Sequence, residues 1–512
     1  MEVKFLHPGL LSLVFSCLPV FVALLVTYVL RWSSFRAGLI ACAAAGIIAS
    51  FHVVNQTSNI SMLDTMIRGA LESIPVAEVL LFGLLFYHVL LDAGSFETIQ
   101  RLLLGRITSP GRQTLLVVSA VGPFFEATTG FGLGIVLSAA LLSAMQWLPR
   151  RRIAQISLLT QSQVPWGAFA AGTWINSTLS GVPLRTLAFC SAALSIPLLL
   201  LYGAIALYLC VGRSGFRQHA TDLWVACLVE AACLIGFNDI LPPTIAGAVS
   251  SAATTLILRL AWNKSTPIGP GGSERGQVAE WRAWARSMTP YALVFFTCFT
   301  TSAMPSVTKM LNRWTTWTLP SYDISLNIVE NPGMALLLGC FACWLLFRVP
   351  AKRLRHVADR WLRQAYGVIG STVCFFILAA LMRDTGMTRV IADGVAGAGR
   401  AYIACVPFLG GLGGYLTGSN SAANAMFASF QAQAARASGL PVALAASIQN
   451  VAASSATMAS PSRVTMAGSS CGLSEAESSQ VSRWTTAVMA VTLAIIAAEG
   501  TFGALMLASP RL

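Results

Sequence analysis

Charge is scarce in this chain. Only 10% of its 512 residues are Asp, Glu, Lys or Arg, while 55% are hydrophobic, a balance that excludes a soluble globular protein of this length. The 20 acidic residues form no D-D-x-x-D run. The five histidines, His7, His52, His88, His219 and His356, show no His-Glu-x-x-His or other metal-ligand spacing. An intramembrane enzyme is therefore disfavoured, and neither a cofactor nor a metal is expected. The 12 cysteines are scattered, and Cys340-x-x-Cys343 has no second pair to complete a metal site. Small-residue helix packing accounts for it better. A cleavable leader is also missing from the expectation: Leu10 to Leu30 is too long for an h-region, and no small-residue cleavage site follows it.

What is present is a series of apolar runs, each of the ~20 residues that cross a bilayer. They lie near 10–30, 37–54, 75–93, 154–175, 184–211, 222–238, 243–262, 286–304, 332–348, 366–382, 440–459 and 484–508. The expected fold class is an all-α polytopic membrane protein with about 12 full crossings. The formal net charge is +13, but the basic residues cluster in alternate loops: Arg150–Arg152, Arg213 and Arg217, Lys264 to Arg286, and Arg348 to Arg363. This is the positive-inside pattern. It predicts those loops in the cytoplasm and both termini outside it. The lipid bilayer, rather than nucleic acid, is the partner of the excess charge. Amphipathic stretches at Ser61–Ser73 and Ala351–Gln364 are expected to lie along the interface.

Two polar interruptions break this apolar background. The first is EATTGFG, Glu126 to Gly132; the second is TGSNSAAN, Thr417 to Asn424. Asp92-Ala93-Gly94 precedes the first and Asp384-Thr385-Gly386 the second, an offset of 292 (384 − 92). Polar breaks at corresponding places in two halves point to a transporter binding site. The stretch 114–147 is too long for one crossing and has basic flanks on both sides (Arg101, Arg106 and Arg112 before, Arg150–Arg152 after). It therefore reads as a re-entrant hairpin, its break sheltered by protein or lining a wet cavity. The matching stretch, about 401–437, would enter from the opposite face. The expected organisation is a first half, 1–262, a cytoplasmic connecting loop, 263–285, and a second half, 286–512, related as inverted-topology repeats. The alternative is two ordinary crossings at each break.

An anion at mid-membrane needs donors, and broken helices supply backbone N–H groups with partial positive charge. Gly130, Gly132 and Gly418 permit close backbone approach. Thr128, Thr129, Ser419, Asn420, Ser421 and Asn424 add neutral donors. The span after each break carries polar residues at its centre, among them Gln163 and Ser455. These residues are the candidate substrate pocket for a small organic anion. Glu126, at a hairpin tip, is the candidate proton carrier, or else a carboxylate capping a helix N-terminus. Asp92 and Asp384 stand in reserve. His88 and Asp92 share a helix face, and Glu78 and Glu230 are lone acids inside spans.

These motifs resemble the L-lactate permease family. Its E-G-A-A-G-F-G pattern is matched by Glu126, Gly130, Phe131 and Gly132. Its L-T-G-S-D-T-S-S-N-A-L-F run is matched by Leu416, Thr417, Gly418, Ser419, Asn424, Ala425 and Phe427. Its I-S-P element is matched by Ser460-Pro461 and a family T-G by Thr385-Gly386. The resemblance covers both halves in order. It implies a secondary transporter of the bacterial inner membrane for lactate, glycolate and related monocarboxylates, driven by proton symport. The implied fold is similar to the broader ion-transporter superfamily. Departures mark a divergent member: Ala127-Thr128-Thr129 for Gly-Ala-Ala, Asn420 for Asp, and Ser462-Arg463 for Gln-Ser. Arg463 is a candidate partner for an anion. A sodium-coupled or exchange carrier for dicarboxylates is the alternative, an anion channel a weaker one, and assembly as a homo-oligomer is left open.

Overall fold

The computed structural model describes residues 10–28, 30, 32–51, 61–95, 98, 109–130, 132–144, 148–262, 274–322, 324–348 and 350–506. Phe131, Arg101, Arg106, His7, His52 and most of the loop 265–277 lie outside them.

Helices dominate. The first half begins with α1 (Leu10–Tyr28), α2 (Ser34–Ser50) and α3 (Met62–Asp92). It continues with α4 (Pro110–Leu116), a π-helical turn (Val117–Val121), α5 (Gly122–Thr129), α6 (Leu133–Ala144), α7 (Arg150–Leu158), a 3-10 stretch (Leu159–Trp166) and α8 (Gly167–Ser180). The long helices α9 (Leu184–Gln218), α10 (Ala220–Ile240) and α11 (Pro243–Trp262) close it. The second half opens with α12 (Glu274–Ala303), α13 (Pro305–Thr315), the antiparallel strands β1 (Thr316–Leu319) and β2 (Ile324–Asn327), and α14 (Pro332–Phe347). There follow α15 (Ala351–Asp384), α16 (Met387–Ala396), α17 (Val406–Thr417), α18 (Asn420–Ala437) and α19 (Val442–Ala456). A 3-10 turn (Thr457–Ala459), α20 (Pro461–Cys471) and α21 (Glu475–Met506) complete the chain.

Among the described residues, 6 helices are long and apolar enough to cross a bilayer: Met62–Asp92, Leu184–Gln218, Ala220–Ile240, Pro243–Trp262, Lys352–Asp384 and Glu475–Met506. The segments Leu11–Ala23, Phe35–Ser50, Leu133–Ser143 and Pro332–Phe347 are apolar but shorter. This is an integral membrane protein.

The amphipathic stretches Ser61–Ser73 and Ala351–Gln364 are the first parts of α3 and α15, continuous with the apolar parts that follow. Some of their polar residues reach the partner helix, while others, Asp64, Arg355 and Arg363 among them, are exposed. Thr65 donates to Asp384 at 3.3 Å, Arg383 to Glu72 at 3.2 Å, and His88 bonds Gln364 at 3.0 Å. Likewise the tail of the expected connecting loop is helical from Glu274, because its Glu, Gln, Ala and Arg residues favour helix.

The α3–α15 contact is reciprocal. Arg68 of α3 meets Asp384 of α15, and Arg360 of α15 meets Asp92 of α3, each at 3.8 Å. Both arginines and both aspartates are 292 residues apart (360 − 68 and 384 − 92). In the same way α2 packs on α15 and α14 packs on α3.

Each polar break doubles the chain back. A Cβ built on Gly134 would come within 2.8 Å of the Gly122 carbonyl oxygen, although a straight helix would separate these residues by about 18 Å. A Cβ on Gly413 would likewise lie 3.0 Å from that of Ala423. Both ends of the first hairpin sit beside the end of α9: Ser109 bonds His219 at 3.3 Å, and Arg152 donates to the Leu209 carbonyl at 3.0 Å. Small residues allow the tight packing that replaces the hydrophobic effect inside a bilayer. Cysteines placed at the exposed positions Pro110 and Arg150 should therefore react with an impermeant thiol reagent from the same side of the membrane. Labelling from opposite sides would require a continuous crossing.

Candidate functional site

The broken helices meet at one place. Gly130 follows α5 at φ 65°, ψ −159°, a conformation essentially restricted to glycine. Gly132, at φ 84°, must also lack a Cβ, because the Arg463 guanidinium occupies the space a side chain would fill. In the second half Ser419 caps α18, accepting from the Ala422 N–H at 3.3 Å, and Ser460 caps α20, accepting from the Arg463 N–H at 3.3 Å. The 3-10 segments preceding α8 and α20 end in extended backbone, at Gly167 (φ −56°, ψ 136°) and Ser460 (φ −60°, ψ 144°).

A cavity of about 360 Å³ lies among these ends, lined by Gly130, Gly167, Ser419, Asn420, Ser421 and Ser462. Its volume suits a small ligand. The N-termini of α8, α18 and α20 converge on it, and each contributes the positive end of a helix dipole. Among the described residues, the ionisable groups lining the cavity are Glu126 and Arg463.

These two form a buried ion pair with N–O separation 3.5 Å. Glu126 is 1% exposed and Arg463 5%. The carboxylate also accepts from the N–H groups of Gly132 and Gly134, each at 3.3 Å, and from Gln161 Nε2 at 3.4 Å. It thus caps α6 from within its own hairpin. Arg463 Nε donates to the Gly418 carbonyl at 3.2 Å, while its Nη1 makes no hydrogen bond. One guanidinium therefore ties both hairpin tips together. The α6 terminus is occupied by an internal carboxylate; the α18 terminus opens on the cavity.

The sequence matches the L-lactate permease family over residues 12–507. The chain belongs to that family. Membership makes it a permease and not an enzyme. Curated L-lactate permeases similar to it include those of Streptococcus iniae, 24% identical over 381 residues (70% of this chain, 78% of the relative). That of Bacillus subtilis is 21% identical over 529 residues (92% of each). That of Escherichia coli K12 is 22% identical over 450 residues (79% and 80%). At this distance the chain is a divergent L-lactate permease family member, and its own geometry must locate the site.

That geometry brings together Glu126, Gly130, Ser419, Asn420, Ser421 and Arg463 on the cavity wall, with Gly132 beneath the guanidinium. Thr128 and Thr129 are not on it; their hydroxyls turn back to the carbonyls of Phe124 and Phe125. Asn424 lies behind Asn420, in an amide network where Asn420 donates to Asn450 at 3.1 Å and Asn424 donates to the Gly172 carbonyl at 3.0 Å. Ser455 is buried facing Tyr202. Gln163 bonds Glu230 at 3.1 Å. Asp92 and Asp384 sit in the α3–α15 contact with Arg360 and Arg68. Motif reading missed the opposite wall, Phe35 of α2 and Gln364, Ser371 and Thr372 of α15. Only the small-residue run Gly367 to Thr372 hinted at it.

Removing one partner of a buried pair costs about 3–5 kcal/mol, because the other charge is stranded. Arg463→Gln should therefore lower the thermal unfolding midpoint in detergent. The double variant Glu126→Gln, Arg463→Gln should recover most of the loss. Equal loss in both would mean that a stranded Glu126 carboxylate is not what destabilises Arg463→Gln.

Proposed function

We propose that this protein is a secondary active transporter that carries small monocarboxylates (lactate, glycolate and related 2-hydroxy acids) across the bacterial plasma membrane with a proton. The convergence of three half-helix N-termini and one guanidinium on a single small cavity carries this reading. The names of its relatives and the reciprocal α3–α15 ion pairs support it. The second supports a reading as two inverted-topology repeats; about 12 crossings and both termini outside the cytoplasm belong to the same proposal, on the positive-inside pattern of the loops.

Charge accounting gives the mechanism. In the empty site Glu126 neutralises Arg463. A proton on Glu126 releases both Arg463 and the α6 N–H groups, and the substrate carboxylate takes the place of the Glu126 carboxylate against them. Empty and loaded sites then carry the same net charge, zero. Carrying a bare anion inward would instead cost about 2.3 kcal/mol per 100 mV.

In proteoliposomes, labelled lactate uptake should saturate, follow an inward proton gradient and be competed by glycolate. Uptake that follows sodium at fixed pH, or that succinate competes best, would favour the sodium-coupled or dicarboxylate carrier. Glu126→Gln should lose proton-driven accumulation yet retain lactate exchange, because its empty site is left with an uncompensated positive charge. Asn420→Asp should leave proton coupling in place. Retained accumulation in Glu126→Gln under a pH gradient alone would move the proton to another residue.

The two hydroxyl positions separate cavity wall from packing. Ser421→Ala should raise KM roughly 10-fold, the loss of one hydrogen bond to a charged group. Thr129→Ala should leave KM unchanged, since its hydroxyl is engaged with backbone. The reverse pattern would place the substrate on the other hairpin.

A further inference from the structure

A second carboxyl group lies behind the cavity, where a π-helical turn and a 3-10 stretch meet. Glu230 of α10 is 1% exposed, and among the described residues it makes no ion pair. Gln163 Nε2 donates to its Oε1 at 3.1 Å. The hydroxyls of Ser119, in the π-helical turn, and Ser162, in the 3-10 stretch, face the carboxyl, and neither completes a hydrogen bond. π-Turns inside α-helices recur at functional sites. A buried carboxylate without a cation costs several kcal/mol. A neutral acid does not.

The placement of Gln163 bears on what neutralises it. Its Oε1 lies 2.8 Å from the Ser251 hydroxyl, which the Gly247 carbonyl shares at 3.0 Å, and its amide nitrogen faces Glu230. A metal cation needs oxygen ligands and would meet a donor dipole there. A protonated carboxyl fits: its carbonyl oxygen accepts from Gln163, and its O–H can donate to an unpartnered serine oxygen. We propose that Glu230 is a second protonation site, and that it exchanges its proton during the transport cycle through movement of the unwound segment 159–166. That segment reaches both acids. Gln161 donates to Glu126 and Gln163, two residues on, donates to Glu230, and both glutamines have non-helical backbone (φ −86°, ψ 21° and φ −110°, ψ 27°). Rewinding it would loosen both contacts together.

Other ionisable groups face α10 from several directions, but they are placed elsewhere along it. Arg112 of α4 and His219 bond Asp222, at 3.0 and 2.7 Å, eight residues before Glu230 and so about 12 Å away. On α9, Tyr202 bonds Thr492, and Cys210 lies toward Thr114 and Arg152. On α11, Arg259 is two turns beyond Ser251. The thiols of Cys227 and Cys233, on α10 itself, flank Glu230.

The idea rests on the proton-coupled reading, but its first test needs no transport. Dicyclohexylcarbodiimide reacts with protonated carboxyls in apolar surroundings, and peptide mass spectrometry locates the adduct. In protein reconstituted in lipid vesicles, an adduct on Glu230 is expected at neutral pH, falling as pH rises, unaffected by sodium chloride. Glu230→Gln should remove it and flatten the pH dependence of lactate uptake. An adduct formed only in acid would overturn the proposal, as would protection by sodium at fixed pH, or a Glu230→Gln uptake profile identical to wild type. A neutral-pH adduct in protein that takes up no lactate would support Glu230 as a protonation site while removing the substrate assignment.

Discussion

A carboxylate and a guanidinium held 3.5 Å apart, both out of water, constrain everything around them. Each charge must be offset by hydrogen bonds as well as by its partner, or the pair would be better replaced by apolar side chains. Glu126 takes two backbone N–H groups and an amide; Arg463 takes the Gly418 carbonyl. Those bonds dictate the glycines of the first tip, where a side chain would displace the guanidinium. They also dictate the serine cap that places Arg463 at the start of α20. The tips of two hairpins, nearly three hundred residues apart in sequence, are thereby joined at one atom group.

Around that centre, neutral amides do the remaining work of joining the halves. Asn176, Asn420, Asn424 and Asn450 connect α8, α18 and α19, and Asn450 reaches Thr173 at 2.9 Å and Ser191 at 3.0 Å. Such a network is strongest when every member is satisfied, and here Asn176 Oδ1 is left without a hydrogen-bond partner. Asn420 stands both in the network and on the cavity wall, so one residue of the wall also holds the hairpin. A titratable side chain there would tie protonation to packing, whereas an amide keeps the two apart.

Much of this was legible from residue order. Glycines flanked by hydroxyl residues inside long apolar runs marked both hairpin tips, and the spacing of two aspartates marked the reciprocal α3–α15 contact. Arg463 stood out as a departure from the family's Gln-Ser, and Glu126 as a carboxylate at a hairpin tip. Their pairing did not, because Glu126 lies 337 residues earlier (463 − 126) and pairing across that distance leaves no local trace. The same limit hid the roles of Asp92 and Asp384. An acid at a helix end reads as a proton carrier until the arginine on the other helix is seen. Thr128 and Thr129 misled for a different reason: a hydroxyl within a helix can bond its own backbone, and sequence does not reveal which way it turns.

The reciprocal pairing of α3 with α15 also sets the order in which the molecule can be completed during synthesis. Asp384 leaves the ribosome 316 residues after Arg68 (384 − 68), which at 5–20 residues per second is roughly 15–60 s. For that interval α3 waits in the membrane without its partner helix, carrying an arginine that bilayers tolerate poorly. Within α3 itself, Glu72 lies one turn on from Arg68, 3.7 Å from its guanidinium. That local contact adds little to the finished protein, yet it is the partner within reach of Arg68 while the second half is still being made.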